Sequence, residues 1–165
     1  MKLEEEINQF VFKDNFHKAH VNLLFTAAWL NQRINRLLKP YEVSAQQFNI
    51  LRILKGLGNQ PASLKLITSR MLDRTSNTSR LVDKLIEKKM VVSTFCPMDR
   101  RQVEIRITAS GTGILQQCSE IIEKDLRSTM NNLTESQAFQ LNDLLEIVRN
   151  GSEIVEPTTC EIVKL

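Results

Sequence analysis

Apolar side chains between residues 16 and 38 fall at Val21, Leu24, Phe25, Ala28, Ile34, Leu37 and Leu38, close to a helical period, and Pro40 cannot continue the segment. This predicts a first long helix. Ser44, with Gln47 three positions on, has the spacing of a capping box, and Phe48, Ile50, Leu51, Ile53 and Leu54 follow as the core of a second helix that Gly56 and Gly58 stop. Pro61-Ala62-Ser63 has room only for a stub strand. Residues 64–72 predict a short third helix with Leu64, Ile67 and Met71 on one side. A fourth helix starts with Asp73 or Thr75 as its cap and carries Thr78, Leu81, Val82, Leu85 and Ile86 as an apolar stripe. Residues 91–95 read as a strand, and Val103, Ile105 and Ile107 alternate with Gln102, Glu104 and Arg106 as a second strand with one buried face. Thr108 caps a long helix with Ile114, Leu115, Cys118, Ile121, Ile122, Leu126 and Met130 on its apolar side. Thr134 and Gln137 repeat the capping-box spacing and open a last helix through Ala138, Leu141, Leu144, Leu145 and Val148, which Gly151 ends.

The fold class is therefore mainly α (α+β). Four regions follow from the pattern: an N-terminal helix over 1–40, a lobe of helices and hairpin over 41–108, two C-terminal helices over 109–150 and a tail over 151–165 without a clear period. With 165 residues and 42% hydrophobic content the chain can bury a proper core. No apolar run approaches the roughly 18 residues of a membrane span, and the start MKLEEEINQF is acidic, so a cytoplasmic protein is expected. Cys96, Cys118 and Cys160 are odd in number and widely spaced, which argues against a disulfide framework or a metal site. With two histidines and no grouped carboxylates, Gly-rich loop or nucleophile motif, no catalytic constellation, cofactor or metal is expected.

Charge changes the picture more than composition does. The net charge of +3 is modest, but residues 63–106 hold ten basic and five acidic residues, whereas residues 107–165 hold four basic and nine acidic ones. The middle of the chain is built to meet something anionic.

That segment has the order of a winged helix-turn-helix: helix, helix, short helix, polar-faced helix, strand, basic tip, strand. Ser76, Asn77 and Ser79 gather short hydrogen-bonding side chains at the start of the polar-faced helix, the end such helices present to base edges. Asn77 can read adenine and Arg80 can take guanine or a phosphate. Lys65, Arg70, Arg74, Lys84 and Lys88 are candidates for phosphate contacts on double-stranded DNA. The stretch CPMDRRQVEIRIT, from Cys96 to Thr108, has no Asn-Gly or Gly-Gly turn; it places Asp99, Arg100 and Arg101 at a longer, projecting tip.

The run Asp73-Arg74-Thr75-Ser76-Asn77-Thr78-Ser79-Arg80-Leu81-Val82-Asp83-Lys84-Leu85, with Pro97-Met98-Asp99-Arg100-Arg101 and Ile107-Thr108-Ala109-Ser110-Gly111, resembles the MarR family of bacterial transcription regulators. The resemblance spans about residues 16–150, and the Asp-x-Arg wing followed by Thr-x-x-Gly is its most specific part. It implies a homodimer in which the first and last two helices form one interface, with two winged lobes reading the halves of a pseudo-palindromic operator. Asp99 would orient the wing, Arg101 would enter the minor groove and Arg100 would lie near the backbone. Three departures stand out. Lys89 occupies a place where relatives often have glycine, Ser93 and Thr94 are neutral where relatives are often basic, and Cys96 replaces an aspartate.

The resemblance also implies repression that ends when a small anionic or phenolic effector enters the cleft between helices and lobe. His17, His20, Trp29, Arg33 and Tyr41 lie on or beside the first helix as candidates for such a ligand. Redox control is an alternative; the oxidation-sensing relatives use a cysteine near the start of the first helix, which this chain lacks. Cys118 sits on an apolar stripe as inert filler, and Cys96 beside Arg100 has the more electropositive setting. A winged module that binds protein instead of DNA would predict an apolar wing, against Arg100 and Arg101.

Overall fold

The computed structural model describes residues 2–58, 60–95 and 103–150. The wing tip with Asp99, Arg100, Arg101 and Cys96, the tail with Cys160, and Gly151 lie outside the described residues. Two compact units divide the chain, Met1–Lys124 and Asp125–Leu165.

The first unit opens with α1 (Leu3–Ile7), a short helix that hydrophobic periodicity did not announce because five residues are too few to show a period. The Lys2 N–H donates to the Glu5 carboxylate at 3.2 Å, and Asn8 ends the helix in the left-handed region at φ 52°. The ammonium of Lys18 pairs with Glu4, which holds the Glu4 carboxyl below its ordinary range. α2 (Asn15–Leu38) starts at Asp14, whose side chain accepts the His17 N–H, and gives way to a single 3-10 turn, Lys39–Tyr41, that carries Pro40.

α3 (Ala45–Gly56) begins with the expected capping box: the Gln47 N–H donates to Ser44 Oγ at 3.2 Å, and the Ser44 N–H to Gln47 Oε1 at 3.1 Å. α4 (Leu64–Arg70) is capped by Ser63. α5 (Thr78–Glu87) starts later than either cap considered above, because Asn77 is its N-cap, accepting the Arg80 N–H at 3.0 Å. β1 (Val91–Phe95) and β2 (Val103–Ile107) form an antiparallel hairpin in the register Val91 to Ile107 through Phe95 to Val103. The stub at Ala62 bridges to Ile105 through two backbone hydrogen bonds of 3.0 and 2.9 Å. α6 (Ala109–Met130) and α7 (Glu135–Asn150) complete the order; Thr134 and Gln137 make their reciprocal cap at 3.2 and 2.9 Å.

One core joins these pieces. Leu38 of α2, Phe48, Ile50, Leu51 and Leu54 of α3, Ile67 of α4, Val82 and Leu85 of α5, Val91 and Ile105 of the hairpin, and Leu115 and Cys118 of α6 are all buried in it. The first half of α6 belongs to the lobe, and the division between units falls inside the helix, after Lys124. Each long buried aliphatic side chain contributes roughly 1.5–3 kcal/mol, so this shared cluster is what holds α5 and the hairpin in register. Among the described residues no helix is long and apolar enough to cross a membrane.

Candidate functional site

The candidate nucleic-acid interface is built outward from α5. Thr78, Val82 and Leu85 bury one side of this helix, which leaves Asn77, Ser79, Arg80, Asp83 and Lys84 exposed on the other and Ser76 half-buried just before it. The four residues proposed to read bases thus cluster at the helix start, but not as equals. Asn77 spends its side-chain oxygen on the Arg80 N–H, so its amide nitrogen is the group left pointing outward for recognition, together with the oxygen's second lone pair. Lys65, Arg70, Arg74 and Lys84 are exposed. Lys88 is not placed with them, because its ammonium turns back to the Glu42 carbonyl.

Asp73 does not cap α5. It organises the turn in front of it. One carboxylate oxygen accepts the Thr75 N–H at 3.0 Å and the Thr75 hydroxyl at 2.6 Å, and the other accepts the Ser76 hydroxyl at 2.8 Å. Hydrogen bonds from the Thr75 and then the Ser76 hydroxyl favour the charged form and hold the Asp73 carboxyl below its ordinary range.

Thr108 and Gly111 explain the Thr-x-x-Gly element physically. Thr108 Oγ1 accepts the Gly111 N–H at 2.9 Å at the start of α6, and its hydroxyl lies 2.8 Å from the Lys89 carbonyl and 3.0 Å from that of Met90. A Cβ on Gly111 would stand 2.0 Å from the Met90 carbonyl oxygen, so only glycine lets α6 approach the end of α5 this closely.

A cavity of about 350 Å³ lies in the first unit between α2, α3, the segment after α4, and Ile122. Ala27, Ile34, Phe48, Met71 and Leu72 supply apolar wall, and Asn31, Gln46, Asn49, Arg52 and Asp73 supply polar groups. None of His17, His20, Trp29, Arg33 or Tyr41 lines it. The Arg33 guanidinium instead lies 5.5 Å from the Trp29 ring centroid on the same helix, and Tyr41 packs against the core. Asn49 and Arg52 were not singled out from the sequence, because the cavity is assembled from separate stretches, 27–34, 45–52 and 71–73 with Ile122, and has no linear signature. Cys118 is fully buried, and burial pushes its thiol up, so it is filler as expected.

The MarR family model matches residues 41–102, the stretch that holds α3 to the wing. The multiple antibiotic resistance protein MarR of Escherichia coli is 30% identical over 117 residues, covering 70% of this chain and 79% of that protein. The chain belongs to the MarR family. The transcriptional repressor IacR of Pseudomonas putida is 27% identical over 122 residues, 74% of this chain and 72% of that one. A solved structure of the organohalide-sensing transcriptional regulator RdhR, in its 2,4-dichlorophenol-bound form, superposes with a TM-score of 0.77 over 86% of each chain at 20% identity and shows the same fold. As a MarR-family transcription regulator the chain binds DNA.

Proposed function

We propose that the protein is a repressor that grips a pseudo-palindromic duplex operator as a homodimer and lets go when a small aromatic effector fills the cavity beside α2. α5 enters the major groove by its N-terminal end, with Ser76, Asn77 and Ser79 at base edges and Arg80 on guanine or a phosphate. Lys65, Arg70, Arg74 and Lys84 neutralise phosphates and supply sequence-independent affinity. At the wing, Asp99 orders the tip, Arg101 inserts into the narrow, electronegative minor groove and Arg100 follows the backbone.

The observation that carries the reading is the start of α5, where exposed Asn77, Ser79 and Arg80 stand opposite a buried stripe in a family of DNA-binding regulators. For the effector, the support is the cavity: apolar walls for a ring, Arg52 for an anionic substituent and amides to fix orientation. RdhR in complex with a chlorinated phenol supports the same class of ligand here. The test is fluorescence anisotropy on duplexes from upstream of the protein's own and neighbouring genes, over a range of salt. Tight binding that weakens steeply with salt and is reversed by an aromatic acid is the expected result. Salt-insensitive or absent duplex binding by an intact dimer would overturn it in favour of a protein-binding winged module.

A further inference from the structure

Residues 72–77 carry two adjacent sets of contacts, one beside the cavity and one at the start of α5. Facing the cavity, the Leu72 N–H donates to Asn49 Oδ1 at 3.0 Å, and Asn49, Leu72 and Asp73 all line the cavity wall. Facing α5, the same Asp73 carboxylate holds the Thr75 N–H and the Thr75 and Ser76 hydroxyls. Asp73 thus lines the cavity and, through its carboxylate, organises the residues that lead into the recognition helix. Among the residues lining the cavity it is the one anion, and Arg52 is the one cation.

We propose that Asp73 is the positioning residue through which cavity occupancy reaches the DNA-reading end of α5, a proposal that rests on the cavity being the effector site. The paired charges give the ligand a direction: an anionic group toward Arg52 and a hydroxyl or other hydrogen-bond donor toward Asp73, as in a hydroxylated aromatic acid. A donor arriving at Asp73 competes with Thr75 and Ser76 for its oxygens. The body of the ligand meanwhile covers the side chain of Leu72, which is 88% exposed. The α5 helix itself stays capped, because the Asn77 bond to the Arg80 N–H does not involve Asp73. What the ligand releases is the turn that sets Ser76 and Asn77 against the base edges.

The experiment does not need the natural ligand. Ala27→Tyr on α2 places a ring with a hydroxyl donor at the cavity wall as a permanent occupant, with Ala27→Thr as a smaller donor-bearing filler should the first variant fold poorly. Operator affinity is measured for the wild type, the filler, Asp73→Ala and the double variant, each checked for dimer state and thermal melting. The relay predicts non-additivity: the filler lowers affinity at least tenfold when Asp73 is present and less than threefold when it is alanine. Losses that simply multiply would overturn the relay while leaving the cavity as an effector site. A filler that binds operator like the wild type would overturn both.

Discussion

Lys89 shows how one residue can carry a cost that the fold around it sustains. Its φ of 57° puts an ordinary side chain in the left-handed region, as its place at the end of the helix suggested. The conformation is enforced from both sides: the Lys89 N–H reaches the Ile86 carbonyl at 2.8 Å and the Met90 N–H reaches the Leu85 carbonyl at 2.9 Å, which closes α5 with a Schellman motif. Lys89→Gly should therefore raise stability by up to about 1 kcal/mol, less whatever the more flexible unfolded chain takes back. Urea denaturation checks this, with Lys89→Ala, which keeps the strain, showing no comparable gain. Gly111 and Gly113 make the complementary comparison within α6. A Cβ at Gly111 meets backbone, whereas one at Gly113 meets nothing within 4 Å. Thermal melts should show Gly111→Ala losing about 1–3 kcal/mol or more, as overpacking against an immovable atom does, and Gly113→Ala gaining about 0.5–1 kcal/mol from helix propensity.

At the scale of elements, the recognition helix asks one side chain to do two things. Asn77 caps α5 with its oxygen and, in the proposed complex, offers its amide nitrogen to a base. Asn77→Asp separates the roles, because a carboxylate caps equally well and suits the positive end of the helix dipole but carries no donor and is repelled by DNA. Folding stability should stay within about 0.5 kcal/mol while operator affinity falls tenfold or more; equal operator binding by both proteins would remove Asn77 from the reading set. The neighbouring turn has its own pH signature. Since the folded-state carboxyl of Asp73 lies below its ordinary value of 3.8, its contribution is complete above that value and is lost as pH falls through the lower, folded one. Amide shifts of Thr75 and Ser76 should titrate together below pH 3.8 and lose that titration in Asp73→Ala. Both capping boxes, both strands of the hairpin and the stripe of α5 could be read from the chain, because each is written in one short local run of residues. α5 starts later than the sequence pattern predicts because Asp73, Thr75 and Asn77 are all good caps, and only the local geometry shows which oxygen meets which N–H. The cavity was invisible for the related reason that Asn49, Arg52 and Asp73 become neighbours only once α3 and the segment after α4 are packed.

For the molecule as a whole, the proposed dimer gives uncovered apolar surface and charge separate tasks. Leu23, Leu24 and Trp29 on α2, and Phe139, Leu144, Ile147 and Val148 on α7, are exposed in the isolated chain and are the side chains such a dimer would cover. The bases, by contrast, concentrate between residues 63 and 106. If each lobe of a dimer places the same lysine on a phosphate, every substitution removes two contacts, and the salt dependence of binding counts them. Lys65 is the cleanest case, being exposed on the first turn of α4 and away from the base-reading residues. The logarithm of affinity against the logarithm of salt concentration has a slope near −0.9 per neutralised phosphate, so Lys65→Ala should make the slope shallower by about 1.8 and weaken all duplex sequences alike. A change of about 0.9 would mean that only one lobe engages the DNA at a time. No change would show that Lys65 meets no phosphate, and a loss confined to the operator would move Lys65 from the backbone to the bases. Lys124→Ala, at the end of the first unit and outside the basic segment, should leave the slope where it was.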